Sequence, residues 1–203
     1  MDAGTVFSVL AAALLAPYTF PAWPLPEADI ARLTTGQTLH KDFEDDGLKG
    51  VILRFFVKAE AAFVYRTLAN VEEMPKYMPS LGAIKVLEVK GKMKRLEYRS
   101  QLPLVPDFVL DRYFEPPKRI WWTKHKAAYK RIEGSWDIIP AEGGTIIQYS
   151  LAVETGGLLP SWAALEIQKQ GGRDLVRNVT RHIESGGKWI RSDYNPRKEQ
   201  TPN

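Results

Sequence analysis

Apolar side chains occupy alternate positions in two neighbouring runs in the second half of the chain. Ile132, Trp136 and Ile138 alternate with Glu133, Ser135 and Asp137; Ile147, Tyr149, Leu151 and Val153 alternate with Gln148, Ser150 and Glu154. A period of two marks strands with one buried and one wet face. Upstream, the stretches 83–90, 93–101, 107–115 and 119–128 read as further strands, separated by turn signals such as KGK, LPLVP and EPPKR. Connections this short imply antiparallel neighbours. GVILRFFVKA at 50–59 is another strand, rich in β-branched and aromatic residues, and 37–44 is a weaker strand candidate.

The spacing then changes to a helical one. Ala61, Val64, Tyr65 and Leu68 predict a short helix over 60–69, and NVEEMPKYMPSL at 70–81 predicts a second short one. Two prolines forbid a long helix there. After Pro160 a long helix is expected to about Ser185, with Leu165, Gly172, Leu175, Val176, Val179 and Ile183 on one stripe. Gly171 and Gly172 each cost roughly 1 kcal/mol relative to Ala, so either close approach to the sheet or room for a guest is expected there. A short helix at 27–33 precedes the core. The tail from Lys188 is polar and expected to fray.

This order poses a covering problem. Seven strands at about 4.8 Å spacing span roughly 30 Å, whereas one helix is about 10 Å across. The expected fold class is therefore α+β: a curved antiparallel sheet of about seven strands wrapped around the long C-terminal helix, with two short helices after the first strand. Such a sheet leaves a hollow lined by its inward alternation. The 70–81 segment would lie across one end as a mobile lid of adaptable Met contacts, or as a plain packing element.

The 203-residue chain carries a net charge of +4 and no Cys. Lacking Cys excludes disulfides, thiolate zinc sites and Cys nucleophiles. Basic residues are concentrated between Lys85 and Arg131, thirteen against five acids, which is either a solvated sheet face or an attraction to anionic headgroups. No zinc-finger or RNA-recognition signature accompanies them, so nucleic acid is not expected as a partner. The run TVFSVLAAALLA at 5–16 is shorter than a membrane span. It suits the apolar part of an export signal, with a cut after Ala22, although no basic residue precedes it. A periplasmic or secreted location is the leading expectation, and a retained anchor or a cytoplasmic location stays open. The expected organisation is a signal-like segment and Pro-rich linker at 1–25, an extension at 26–47, the core domain at 48–186 and a polar tail at 187–203.

Three stretches resemble the helix-grip fold of the START-like, Bet v 1-like (SRPBCC) superfamily. They are GVILRFFVKAEAAFVYRTLANVEEMPKYMPSL, LPLVPDFVLDRYF and EGSWDIIPAEGGTIIQYSLAVE. Within it the chain is most similar to polyketide cyclase/dehydrase and lipid-transport domains and the related coenzyme Q-binding proteins. The resemblance implies a cavity for a lipid, sterol-like compound, quinone or polyketide, carried or sensed without turnover. The alternatives are an aromatase/cyclase-type enzyme and a module that docks a partner peptide.

The residues expected at a ligand are Met74, Tyr77 and Met78 from the lid, and Tyr98, Arg112, Trp121, His125, Trp136 and Tyr149 from the sheet. Trp162, Leu165 and Gly172 come from the helix. An inward Arg112 would either anchor a ligand carboxylate, hydroxyl or keto group or pair with a cross-strand acid. His125 is expected inward with Trp121 and Thr123, as a structural His or as one of three possible players (with Arg112 and Tyr149) in a cyclase. No elbow, triad or metal-ligand spacing appears, so no catalytic residue, metal or cofactor is assigned. The expected partners are a hydrophobic small molecule and, transiently, an anionic membrane surface, with the protein a monomer.

Overall fold

The computed structural model describes residues 17–102, 105–156 and 161–196, with only the helical backbone described over 161–171. Helix α1 (Glu27–Thr34) leads into strands β1 (Leu39–Asp45) and β2 (Leu48–Val57). Helix α2 (Ala61–Ala69) and a 3-10 helix (Val71–Lys76) follow. Then come β3 (Leu81–Lys90), β4 (Met93–Ser100), β5 (Phe108–Glu115), β6 (Arg119–Lys126), β7 (Arg131–Ala141) and β8 (Gly144–Glu154). Helix α3 (Ser161–Glu184) follows β8.

Among the described residues, eight strands form one antiparallel sheet, ordered β1-β2-β8-β7-β6-β5-β4-β3. The crossover between β2 and β3 carries the two short helices, so they fall over the same face that α3 covers. That face holds the main core, where Phe55, Val57, Leu96, Ile120, Trp136 and Ile147 meet Val64 and Leu68 of α2 and Val179 and Ile183 of α3. α3 packs chiefly on β2.

The opposite face is not simply wet. A second apolar cluster joins Leu33, Leu39 and Ile146 with Trp23, Leu25, Ile30 and Phe56. Residues 17–25, expected to lie outside the fold, run antiparallel along β1 as a strap. Tyr18 donates to Asp45 at 2.5 Å, Lys41 donates to the Ala22 carbonyl at 3.3 Å, and Arg54 donates to the carbonyls of Trp23 and Pro24. The Arg54 guanidinium also lies over the Trp23 ring at 4.3 Å. β1 is amphipathic in the reverse sense to its neighbours: Leu39 and Phe43 face the strap, while His40 and Asp42 face α3. This inversion is why its pattern reads weakly in sequence.

The described part of the tail is not frayed. Arg191 is buried; its backbone N–H donates to the Lys76 carbonyl and its Nε to that of Pro75, both at 2.9 Å. His182 bonds through Nδ1 to the Trp189 carbonyl at 2.7 Å. The tail therefore clamps the 3-10 helix, which is buried at Val71, Met74 and Pro75. Fixed in this way, the 70–81 segment is a seated element and not the loose lid its prolines imply.

Strand β6 differs most from expectation. The run IWWTKHK offers a Trp to each face, so alternation alone does not orient it. Register decides: Ile120 pairs with Trp136, and Trp122 pairs with Gly134 on one side and Arg112 on the other. Trp122, not Trp121, is therefore the inward side chain. It lies flat over Gly134, where a Cβ would come within 2.1 Å of the indole. Trp121, Thr123 and His125 face outward. Trp121 stacks on Tyr113 with ring centroids 5.3 Å apart, His125 pairs with Asp111 at 3.4 Å, and Thr123 donates to Glu133 at 3.1 Å.

Two outcomes follow from this packing. Gly134→Ala must displace the indole and is expected to cost about 1–3 kcal/mol, measured by urea unfolding. Glu133 is held above the usual carboxylate range by burial, against the opposing effects of Thr123 and Arg131. The folded state thus favours its protonated form, and stability falls as pH rises from the ordinary Glu value of about 4.3 through the higher folded one. Glu133→Gln should raise the melting temperature at pH 7 and leave it unchanged well below that range.

Candidate functional site

Between the 3-10 helix, β3–β8 and α3 lies a cavity of about 210 Å³. Its walls come from alternate inward positions of the strands: Tyr98 and Ser100 of β4, Leu110 and Arg112 of β5, Trp122 of β6, Trp136 of β7, and Tyr149, Leu151 and Val153 of β8. Met74 and Met78 close one side, and Leu175 contributes from α3. Leu102, Val105 and Tyr129, from the β4–β5 and β6–β7 connections, line the end remote from the β3–β4 turn. The three rings of Trp122, Trp136 and Tyr149 form one continuous aromatic wall, with Trp136 and Tyr149 4.6 Å apart.

Arg112 is the one cation among these lining residues and is 3% exposed. Among the described residues it has no carboxylate partner. The acid next to it in sequence, Asp111, points to the other face and is taken by Arg95 at 2.7 Å. Arg112 itself donates to the Tyr98 hydroxyl at 3.4 Å, the Leu68 carbonyl at 3.3 Å and the Met74 sulfur at 3.3 Å, and its Nε has no partner. The Trp122 ring, 5.2 Å from the guanidinium carbon, adds a cation–π contact. Five N–H donors in a rigid fork are thus met by three long contacts to neutral acceptors. A buried charge so sparsely satisfied is costly, and it can hydrogen-bond an acceptor placed in the cavity. Burial pushes the Tyr149 phenol upward, with the Arg112 charge opposing. Tyr149 therefore stays a neutral hydroxyl, able to donate or accept.

Of the residues expected at the ligand, Met74, Met78, Tyr98, Arg112, Trp136 and Tyr149 come together around this cavity. Tyr77 does not: it is fully buried and stacks on His182, centroids 4.2 Å apart, away from the hollow. Trp121 and His125 are on the outer face for the register reason given above. Gly172 serves close approach: a Cβ there would come within 3.0 Å of Leu53, and it lines a separate groove with His40, Asp42, Arg173 and Arg177. The side chains of Trp162 and Leu165 lie outside the described residues. Sequence reasoning misses Trp122; its signal there is Gly134, a residue without a side chain on an inward position of a neighbouring strand. No cluster of His, Asp and Glu suited to a metal occurs among the described residues.

The fold matches several solved structures, each at low identity. A protein from Thermus thermophilus, TTHA0849, superposes with a TM-score of 0.60 at 18% identity, covering 68% of this chain and 99% of that one. A STAR-related lipid transfer protein from Xanthomonas axonopodis gives 0.57 at 17%, covering 71% and 98%. The Zhui aromatase/cyclase from Streptomyces sp. R1128 gives 0.60 at 15%, covering 68% and 94%. No curated protein matches the chain by sequence. These superpositions show the START-like helix-grip fold. Residues 57–180 match the sequence pattern of one family, and that match spans more than half of the chain: the protein belongs to the polyketide cyclase / dehydrase and lipid transport family.

Proposed function

We propose that this protein binds, and carries or senses, a hydrophobic small molecule with one hydrogen-bond-accepting group. The observation that supports the reading is Arg112: a buried cation with no acid beside it among the described residues, at the side of a mainly apolar cavity. The aromatic and aliphatic walls would contribute about 25 cal/mol per Å² of apolar surface removed from water. The guanidinium and the hydroxyls of Tyr98 and Tyr149 would fix orientation. A carboxylate, keto or phenol oxygen would gain charge-assisted hydrogen bonds there.

Conversion of a polyketide-like substrate by an aromatase/cyclase activity is the second reading. It is supported by the likeness to the Streptomyces aromatase/cyclase and by the pairing of Arg112 with a neutral, buried Tyr149. It loses its third player, because His125 stands on the outer face. Export is proposed on the apolar run 5–16 alone. The strap gives its cleavage a structural consequence: a cut after Ala22 would remove Tyr18 and its bond to Asp45 and leave Trp23 on Arg54.

Organic extraction of the purified protein followed by mass spectrometry should release an apolar compound with an acceptor group. A clean extract together with turnover of a poly-β-ketone would instead favour the cyclase. Arg112→Met separates binding from folding. Affinity for the extracted compound should fall about 10- to 100-fold, the worth of a hydrogen bond to a charged group. The ligand-free protein should unfold at equal or higher denaturant, because an unpaired buried charge has gone. Loss of stability with unchanged affinity would contradict the role given to Arg112. N-terminal sequencing of the protein from its native host should find a start near Trp23; an intact Met1 would argue against export by cleavage.

A further inference from the structure

Nine of the thirteen basic residues between Lys85 and Arg131 fall into two groups. Of the others, Arg112 lines the cavity and Lys124 donates to the Tyr129 and Lys130 carbonyls. Lys85 and Lys126, also without an acidic partner among the described residues, lie away from the sheet's β3–β4 end. Arg95, Arg99, Arg119, Lys130 and Arg131 each meet a carboxylate. Lys90, Lys92, Lys94 and Lys118 do not: among the described residues none of these four has an acidic partner. All four sit at one end of the sheet, on the β3–β4 and β5–β6 hairpins. The two hairpins are tied together there by the Phe114 N–H donating to the Lys92 carbonyl at 3.0 Å. Lys94 lies over the Phe114 ring at 5.6 Å. Glu115 is the acid of the β5–β6 turn, and Glu88 is occupied by Arg95.

The same β3–β4 hairpin carries two of the three large apolar side chains that are exposed among the described residues, Leu87 at 45% and Val89 at 64%. β3 is an edge strand with a register shift between Val86 and Glu88 that pushes Leu87 out of the ladder. Unpaired lysines flanking bare aliphatic groups form an amphipathic tip.

We propose that this tip docks on an anionic bilayer, with Lys90, Lys92, Lys94 and Lys118 at the headgroups and Val89 and Leu87 at the acyl boundary. Charge complementarity selects an anionic surface, and the aliphatic groups select a bilayer over a nucleic acid. A nucleic acid would leave Val89 and Leu87 in water, and the tip has no exposed aromatic ring for base stacking among the described residues. The inference goes beyond the cavity reading and does not depend on it.

The chain has no Cys, so Val89→Cys introduces the only thiol, to be labelled with a polarity-sensitive dye in the full chain. Mixed phosphatidylcholine–phosphatidylserine vesicles should shift its emission to the blue, phosphatidylcholine vesicles should not, and added salt should reverse the shift. Adding Lys90→Glu and Lys92→Glu should weaken the response by about tenfold or more. The local dye separates this tip from any binding by residues 5–16. A dye that stays in water while the protein sediments with anionic vesicles overturns the proposal, as does failure to bind them at all. An unchanged response after charge reversal does the same. Equal binding to duplex DNA that competes with vesicles would assign the lysines to nucleic acid instead. Any of these failures leaves the cavity reading, tested by extraction, where it stands.

Discussion

Eight strands at their usual spacing of about 4.8 Å make a sheet more than three helix diameters wide, and a single long helix has to cover one face of it. The sheet answers by curving, and α3 meets it closely along β2, where Gly172 removes the side chain that would hold Leu53 away. From that line of contact the two surfaces diverge toward β4 and β5. The divergence is the cavity. α2 and the 3-10 helix fill part of it from above, which is why Val64, Leu68 and Met74 are among the most buried side chains.

A hollow made in this way inherits whatever the inward alternation brings to it. Mostly that is aromatic and aliphatic. At one position it is Arg112, and the register of β4 and β5 denies it the nearest acid by sending Asp111 outward to Arg95 and His125. The protein thus keeps a cation in a low-dielectric place with a thioether, a phenol and a carbonyl for company. Such an arrangement is poor for stability by itself. It is the kind of local conflict that tends to mark a working site, which is why the functional reading rests on this residue and not on the walls.

Much of the fold is legible in the sequence, because period-two alternation marks the inward face over 132–138 and 147–153 and turn signals separate the strands. The inward set of β8, Ile147, Tyr149, Leu151 and Val153, is read from pattern alone, and Arg112 is reached by the same logic. The failures share a cause. Where both phases of an alternation carry a large apolar residue, as at Trp121 and Trp122, composition cannot choose the face; the partner strand does, through the empty position at Gly134. Tyr77 misleads similarly, since a helical turn beside two lining Met residues gives no hint that its ring goes to His182. The strap and the tail are missed because their anchoring is made largely of backbone carbonyls accepting from Arg54, Lys41 and Arg191, and carbonyls leave no mark on composition.

The clamp on the 3-10 helix bears on how fast a guest could come and go. Arg191 holds the carbonyls of Pro75 and Lys76, so any opening that carries the 3-10 helix and its Met74 away from the sheet would also break these two bonds to the tail. By that route, affinity and residence time would depend on different parts of the chain, the one on the hollow and the other also on a short stretch of tail outside its walls.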